Sequence, residues 1–164
     1  GAATTKATGC QILCGVAGAE LLWRGASGNC QLYSALGVDT ARVSLSAVIP
    51  SNREHLATFA GLDLQLDTYP YHGTTTTCES LWMGVPVVSL AGDRHASRVG
   101  TSLLESVGAG ELVAHDADAY VNLAVALARD PARLSALRAR LRPGMQRSAL
   151  TDPLRFTRQL EEAC

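Results

Sequence analysis

Apolar and polar positions alternate through Leu62, Leu64 and Leu66, the period of two that marks a strand. The alternation breaks at Pro70 and Gly73 and passes four consecutive threonines, Thr74 to Thr77. Helical spacing then takes over from Cys78 to Met83, Gly84 suits the position just past a helix, and Val85 to Leu90 reads as a buried strand. Downstream, Val99, Leu103, Leu104 and Val107 fall on one face of a helix that stops at Gly108. Leu112 to Ala114 is a short last strand. Asp116 caps a helix carrying Tyr120, Leu123, Ala124 and Leu127. Leu134, Leu137 and Leu141 mark another, opened by Asp130 and Pro131 and ended by Pro143 and Gly144. Asp152 and Pro153 open a final helix.

Upstream the pattern is weaker. Gly1 to Gly9 has no period, and Cys10 to Val16 suits the end of a helix. Glu20 to Arg24 is a strand candidate, Cys30 to Leu36 a helix closed by Gly37, and Val43 to Ala47 a second strand. Pro50 and Ser51, with Ser51 as N-cap, open a helix carrying Glu54, His55, Leu56 and Phe59. Five strands separated by helices predict an α/β fold, a Rossmann-like parallel sheet with helices on both faces. The turns after Ala47, Leu66 and Leu90 then gather at the carboxyl edge, where such sheets bind ligands.

Composition narrows the classes. A length of 164 residues, 47% hydrophobic and 18% charged, suits one globular domain. Residues 1–18 are expected to be a frayed or truncated start and residues 19–164 the domain. A net charge of −1 offers no broad basic field, so neither nucleic acid nor a membrane surface is an expected partner. Cys10, Cys14, Cys30, Cys78 and Cys164 have no framework spacing and are expected to be reduced thiols of a cytoplasmic protein. Four histidines without H-x-x-x-H or H-E-x-x-H spacing predict no metal site. No apolar run approaches the roughly 20 residues of a membrane span. The start has neither an initiating Met nor a secretory pattern, which suggests a piece of something longer.

The chemistry concentrates on the predicted edge. A strand, a Gly/Thr turn and a helix start together present backbone N–H groups to an anion, so Gly73 and Thr74, Thr75 and Thr76 are a candidate phosphate site. Thr76-x-x-Glu79 also fits a capping box, which needs no ligand. Glu79 would instead accept bonds from ribose hydroxyls, as acidic residues do in dinucleotide folds, and the two roles compete. His55 follows a predicted strand and suits either a surface position or contact with a base. His72 and His95 lie on the same edge. Arg98 ends the loop Asp93-Arg94-His95-Ala96-Ser97-Arg98 and suits a phosphate contact or a loop-anchoring ion pair. Neither a Walker loop nor G-x-G-x-x-G is present.

The segments YPY-x-GTTTTCE-x-LWMGVPVV and AGDRHASRVG-x-SLL, with ELVA, YV and PLRF further on, closely resemble the O-GlcNAc transferase/SPINDLY family. These are the inverting glycosyltransferases of family 41, and the resemblance lies in their C-terminal catalytic region. It covers about Ala19 to Cys164, most strongly from Asp63 onward. The resemblance implies the C-terminal half of a GT-B glycosyltransferase, the half that binds the nucleotide sugar. It implies that Thr74, Thr75 and Thr76 match the segment holding the donor diphosphate and that Glu79 matches the ribose position. His55 matches the histidine beside uracil, and Asn52 falls near a position flanking the base. Some relatives have His where this chain has Thr74. A family lysine binds the diphosphate; Lys6 is the only nearby candidate, in a poorly matched segment.

The implied donor is UDP-GlcNAc, the acceptor a protein Ser or Thr, and no cofactor or metal is expected. The partners implied are the absent N-terminal catalytic half and tetratricopeptide repeats, so no catalytic residue is assigned to this half. Two alternatives stand beside this: a non-catalytic nucleotide-binding or interaction module, and the same fold using GDP-fucose.

Overall fold

The computed structural model describes residues 12–14, 49 and 51–164. They belong to two units, Gly1–Gly15 with Leu56–Cys164, and Val16–His55. The strand and helix expected over residues 20–36, the strand at residues 43–47 and Lys6 lie outside the described residues.

In the first unit, β1 (Ile12–Cys14), β2 (Leu64–Leu66), β3 (Val87–Leu90) and β4 (Val113–Ala114) form one sheet in that order. All neighbours are parallel, with Ile12 opposite Leu64, Gln65 opposite Val87 and Ser89 opposite Val113. Parallel strands need cover on both faces, and β3 shows it: Val87, Val88 and Ser89 are all fully buried. The alternation in β2 would leave Gln65 facing water, yet it is buried because a helix lies over it and the Ser80 hydroxyl bonds its side-chain oxygen. Ile12–Cys14 is a strand and not the end of a helix. So short an apolar run has no decisive period, and pairing with β2 settles it.

The helices are α1 (Asn52–Thr58), α2 (Thr75–Trp82), α3 (Val99–Ser106), α4 (Ala117–Ala128), α5 (Pro131–Arg147) and α6 (Pro153–Ala163). Their starts follow the expected chemistry. Asp116, Asp130 and Asp152 each accept the amide three residues on, from Ala119 at 2.7 Å, Arg133 at 2.9 Å and Arg155 at 2.9 Å. The Ser51 hydroxyl lies 3.4 Å from the Glu54 amide at the start of α1. Gly84 (φ 78°) and Gly108 (φ 73°) take the left-handed conformation just past α2 and α3. Leu112 ends a 3-10 turn, Gly110–Leu112, and only Val113 and Ala114 pair as β4.

The largest departure is α5, which runs through Pro143 and Gly144 to Arg147. Its buried face, Leu134, Leu137, Leu141, Gly144 and Met145, continues at helical spacing across the proline, and this burial outweighs the local cost of about 3 kcal/mol. The core beneath joins Leu64, Leu81, Val88, Leu104, Leu127 and Leu141, each worth about 2 kcal/mol when fully buried. Among the described residues no helix is long and apolar enough to cross a membrane.

Gly144 is needed for contact. A Cβ there would stand 2.6 Å from the Val107 carbonyl oxygen at the end of α3. Gly144→Ala should therefore destabilise by about 1–3 kcal/mol, against the roughly 1 kcal/mol gain that helix propensity alone gives alanine. Urea unfolding checks the sign; a more stable variant would contradict the close approach.

Candidate functional site

The edge at the carboxyl ends of β2 and β3 is built around one buried carboxylate. Asp67 follows the last residue of β2 and is 6% exposed. A buried charge is costly unless donors surround it. Its Oδ1 accepts the Thr68 amide at 3.1 Å and the Gly73 amide at 2.9 Å, and its Oδ2 accepts the Ser89 hydroxyl at 2.8 Å. These bonds fold the loop back on itself and lead it into α2. The Asp67 carbonyl also takes the Tyr120 hydroxyl of α4 at 2.9 Å. Within the loop the Thr68 hydroxyl bonds the Tyr71 carbonyl, and the Tyr69–Pro70 peptide is cis.

His72, 1% exposed, ties this loop to the next one. Its backbone N–H donates to the Ala96 carbonyl at 2.9 Å. On the ring, Nε2 lies 3.0 Å from the Leu90 carbonyl oxygen and Nδ1 lies 3.0 Å from the Gly100 amide nitrogen. A carbonyl only accepts and an amide only donates, so the ring is neutral with its proton on Nε2. Asp67 Oδ2, 3.5 Å from Nδ1, is therefore a neighbour and not an ion-pair partner. A Cβ on Gly100 would meet Asp67 Oδ2 at 2.2 Å and Ser89 Oγ at 2.4 Å, so only glycine fits.

The helix this network supports begins at Thr75, three residues earlier than its apolar spacing suggests. Thr74 is its N-cap and makes no side-chain cap bond. Thr76 is thus the second residue of the helix, and the Thr76–Glu79 capping box does not form. Its two supposed members sit in the first and second turns. The first-turn amides of a helix have no intrahelical acceptor and form its positive end. Thr74, Thr75 and Thr76 are exposed around that end, while Thr77 turns inward and donates to the Gly73 carbonyl at 3.0 Å. Glu79 is half-buried one turn further on. Beside it the Cys78 thiol is pushed above its ordinary pKa, first by burial and then by the Glu79 charge, so it stays protonated.

Arg98 caps α3 after the 3-10 turn His95–Ser97 and is exposed. Among the described residues no carboxylate pairs with it, so the expected anchoring ion pair is not what holds this loop. Ser97 holds it instead, its hydroxyl donating to the Arg94 carbonyl at 3.1 Å and its carbonyl accepting the Gly92 amide at 2.8 Å. Thr74, Thr75, Thr76 and Glu79 thus stand at the start and in the first turns of α2 and Arg98 at the start of α3, and His72 joins the loops that lead into the two helices. Asn52 and His55 belong to the other unit, on α1, where Asn52 is exposed and His55 half-buried. Among the described residues no group of three or more His, Cys, Asp or Glu is placed to hold a metal ion.

The sequence reading assigned no role to Asp67, Ser89 or Gly100. The available signals were a carboxylate directly after a strand, a serine inside an apolar one, and a glycine in the first turn of a helix.

The model of the family described as glycosyl transferase family 41 matches residues 10–160. A probable UDP-N-acetylglucosamine–peptide N-acetylglucosaminyltransferase SPINDLY from Petunia hybrida is 43% identical over 159 residues, 92% of this chain and 17% of that protein. Its counterpart from Hordeum vulgare is 51% identical over 128 residues, 78% of this chain and 14% of that protein. Among solved structures, a mutant O-GlcNAc transferase from Thermobaculum terrenum superposes with a TM-score of 0.78 at 32% identity, covering 98% of this chain and 36% of that one. The chain therefore spans only a minor part of the length of these relatives. Its sheet and helices have the fold of the matching part of a GT-B glycosyltransferase. With one family model covering nearly all of the chain and both sequence and structural relatives agreeing with it, the chain belongs to glycosyl transferase family 41.

Proposed function

We propose that this chain is the donor-binding part of a protein O-GlcNAc transferase, which moves N-acetylglucosamine from UDP-GlcNAc to a protein Ser or Thr with inversion. The observation that carries the reading is the start of α2. Three exposed threonines and the first-turn amides stand at the ligand edge of a parallel sheet, on a loop fixed by a buried network. In a single displacement the acceptor hydroxyl oxygen would bond the sugar anomeric carbon as the bond to the β-phosphate oxygen breaks, which inverts that carbon, and the hydroxyl proton would pass to a base outside this part of the protein or to water. Negative charge then grows on the departing diphosphate. Amides already aimed at it stabilise that charge without reorganising, and the Thr75 and Thr76 hydroxyls and Arg98 add donors.

Glu79 would accept the ribose hydroxyls. This reading assigns charge neutralisation to backbone amides and Arg98, not to a metal ion. The rest of the protein would supply the acceptor cleft, and the setting would be cytoplasmic, where thiols stay reduced.

Calorimetric titration of UDP into the full-length protein should show saturable binding, weakened about tenfold or more in the Thr75→Val/Thr76→Val double variant. Unchanged affinity in that variant would remove the threonines from the site, and tighter binding of GDP than UDP would move the donor to a guanosine sugar. Glu79→Gln should weaken UDP binding about tenfold. The same change removes the charge that helps hold the Cys78 thiol protonated, so Cys78 should react faster with iodoacetamide at pH 8 while exposed Cys164 is unaffected. Peptide mass spectrometry reads both rates, and equal Cys78 rates in the two proteins would contradict the coupling.

A further inference from the structure

His72 makes three bonds to groups in or beside the second loop, and their placement is specific. Its N–H meets the Ala96 carbonyl and its Nδ1 meets the Gly100 amide, two residues to either side of Arg98. Its Nε2–H holds the Leu90 carbonyl at the end of β3. In the other direction Gly73 and Thr74 follow His72 directly and open α2. One buried residue, through two ring contacts and its main-chain N–H, therefore ties the start of α2 to the segment that carries Arg98. None of its partners belongs to the leucine and valine core, which closes without it.

We infer that His72 is a positioning residue for the donor: it holds the start of α2 and Arg98 as two jaws on one diphosphate. This rests on the donor-site reading above. The Gly100 bond is the decisive one, because it fixes the first turn of α3 and with it the Arg98 backbone. Substitutions can separate the two ring contacts. The amide oxygen of asparagine stands near the place of Nδ1 and can still accept from Gly100, but asparagine does not reach Leu90. The longer glutamine places its amide near Nε2, keeps Leu90 and leaves the Gly100 N–H unpaired.

The experiment is steady-state kinetics, UDP titration and thermal melting of the full-length protein carrying each change. His72→Gln should raise the donor KM and the UDP Kd about tenfold while the acceptor KM stays within about twofold. His72→Asn should remain within about threefold of the unchanged protein. In an Arg98→Ala background the effect of His72→Gln should largely vanish, since the two residues act as one unit. Equal losses in Gln and Asn that follow the melting temperature, or donor and acceptor KM rising together, would show a merely structural histidine and overturn the inference. If the unchanged protein binds no UDP, the donor-site reading falls and this inference with it; if it binds UDP and His72→Gln binds equally well, only the positioning role falls. Should His72→Gln not fold, Arg98→Ala decides: an unchanged UDP Kd overturns the two-jaw arrangement, and a rise of about tenfold supports it.

Discussion

Asp67 carries a charge into the interior of the domain beside an imidazole that cannot neutralise it. The Gly100 amide already occupies His72 Nδ1, so the carboxylate is held by hydrogen bonds alone, from Thr68, Gly73 and Ser89. Bonds to a charged group contribute about 1.5–3 kcal/mol each, and losing one leaves the charge uncompensated. The arrangement joins the end of β2, the middle of β3, the start of α3 and the loop into α2. None of these can shift without exposing a donor or crowding Gly100.

That constraint separates two jobs within one small domain. The layered core of leucines and valines keeps the sheet and its helices together without regard to any ligand. The polar network lies at one end of this core and fixes only the loops. Its consequence is local: Thr77 is turned inward to bond Gly73, so Thr74, Thr75 and Thr76 are left facing outward around the first-turn amides. The sequence distinguishes none of the four threonines. The helix boundary does, and the boundary depends on where Asp67 pulls the Gly73 amide.

How much of this could be read from the chain beforehand follows the range of each interaction. Helices α3 and α4, the three Asp caps and the two left-handed glycines rest on neighbours within a turn, and each was visible in the spacing. The stop expected at Pro143–Gly144 was also sound local chemistry, and it failed because the buried face of α5 continues beyond it. The capping box failed by two residues, since a threonine run offers several equivalent starting points. The network was invisible for a different reason. Its members meet across 22 residues for Asp67 and Ser89 and 28 for His72 and Gly100, with no periodicity to announce them. The resemblance to family 41 singled out Thr74, Thr75, Thr76 and Glu79 but not Asp67, Ser89 and Gly100, which hold the loop leading to them.

A crystal structure of the full-length protein with UDP tests the central claim most directly. The account predicts a β-phosphate oxygen within hydrogen-bond distance of the Thr75 and Thr76 amides, with His72 still bridging Leu90 and Gly100. A diphosphate seated elsewhere, with those amides bonded to other parts of the protein, would contradict it.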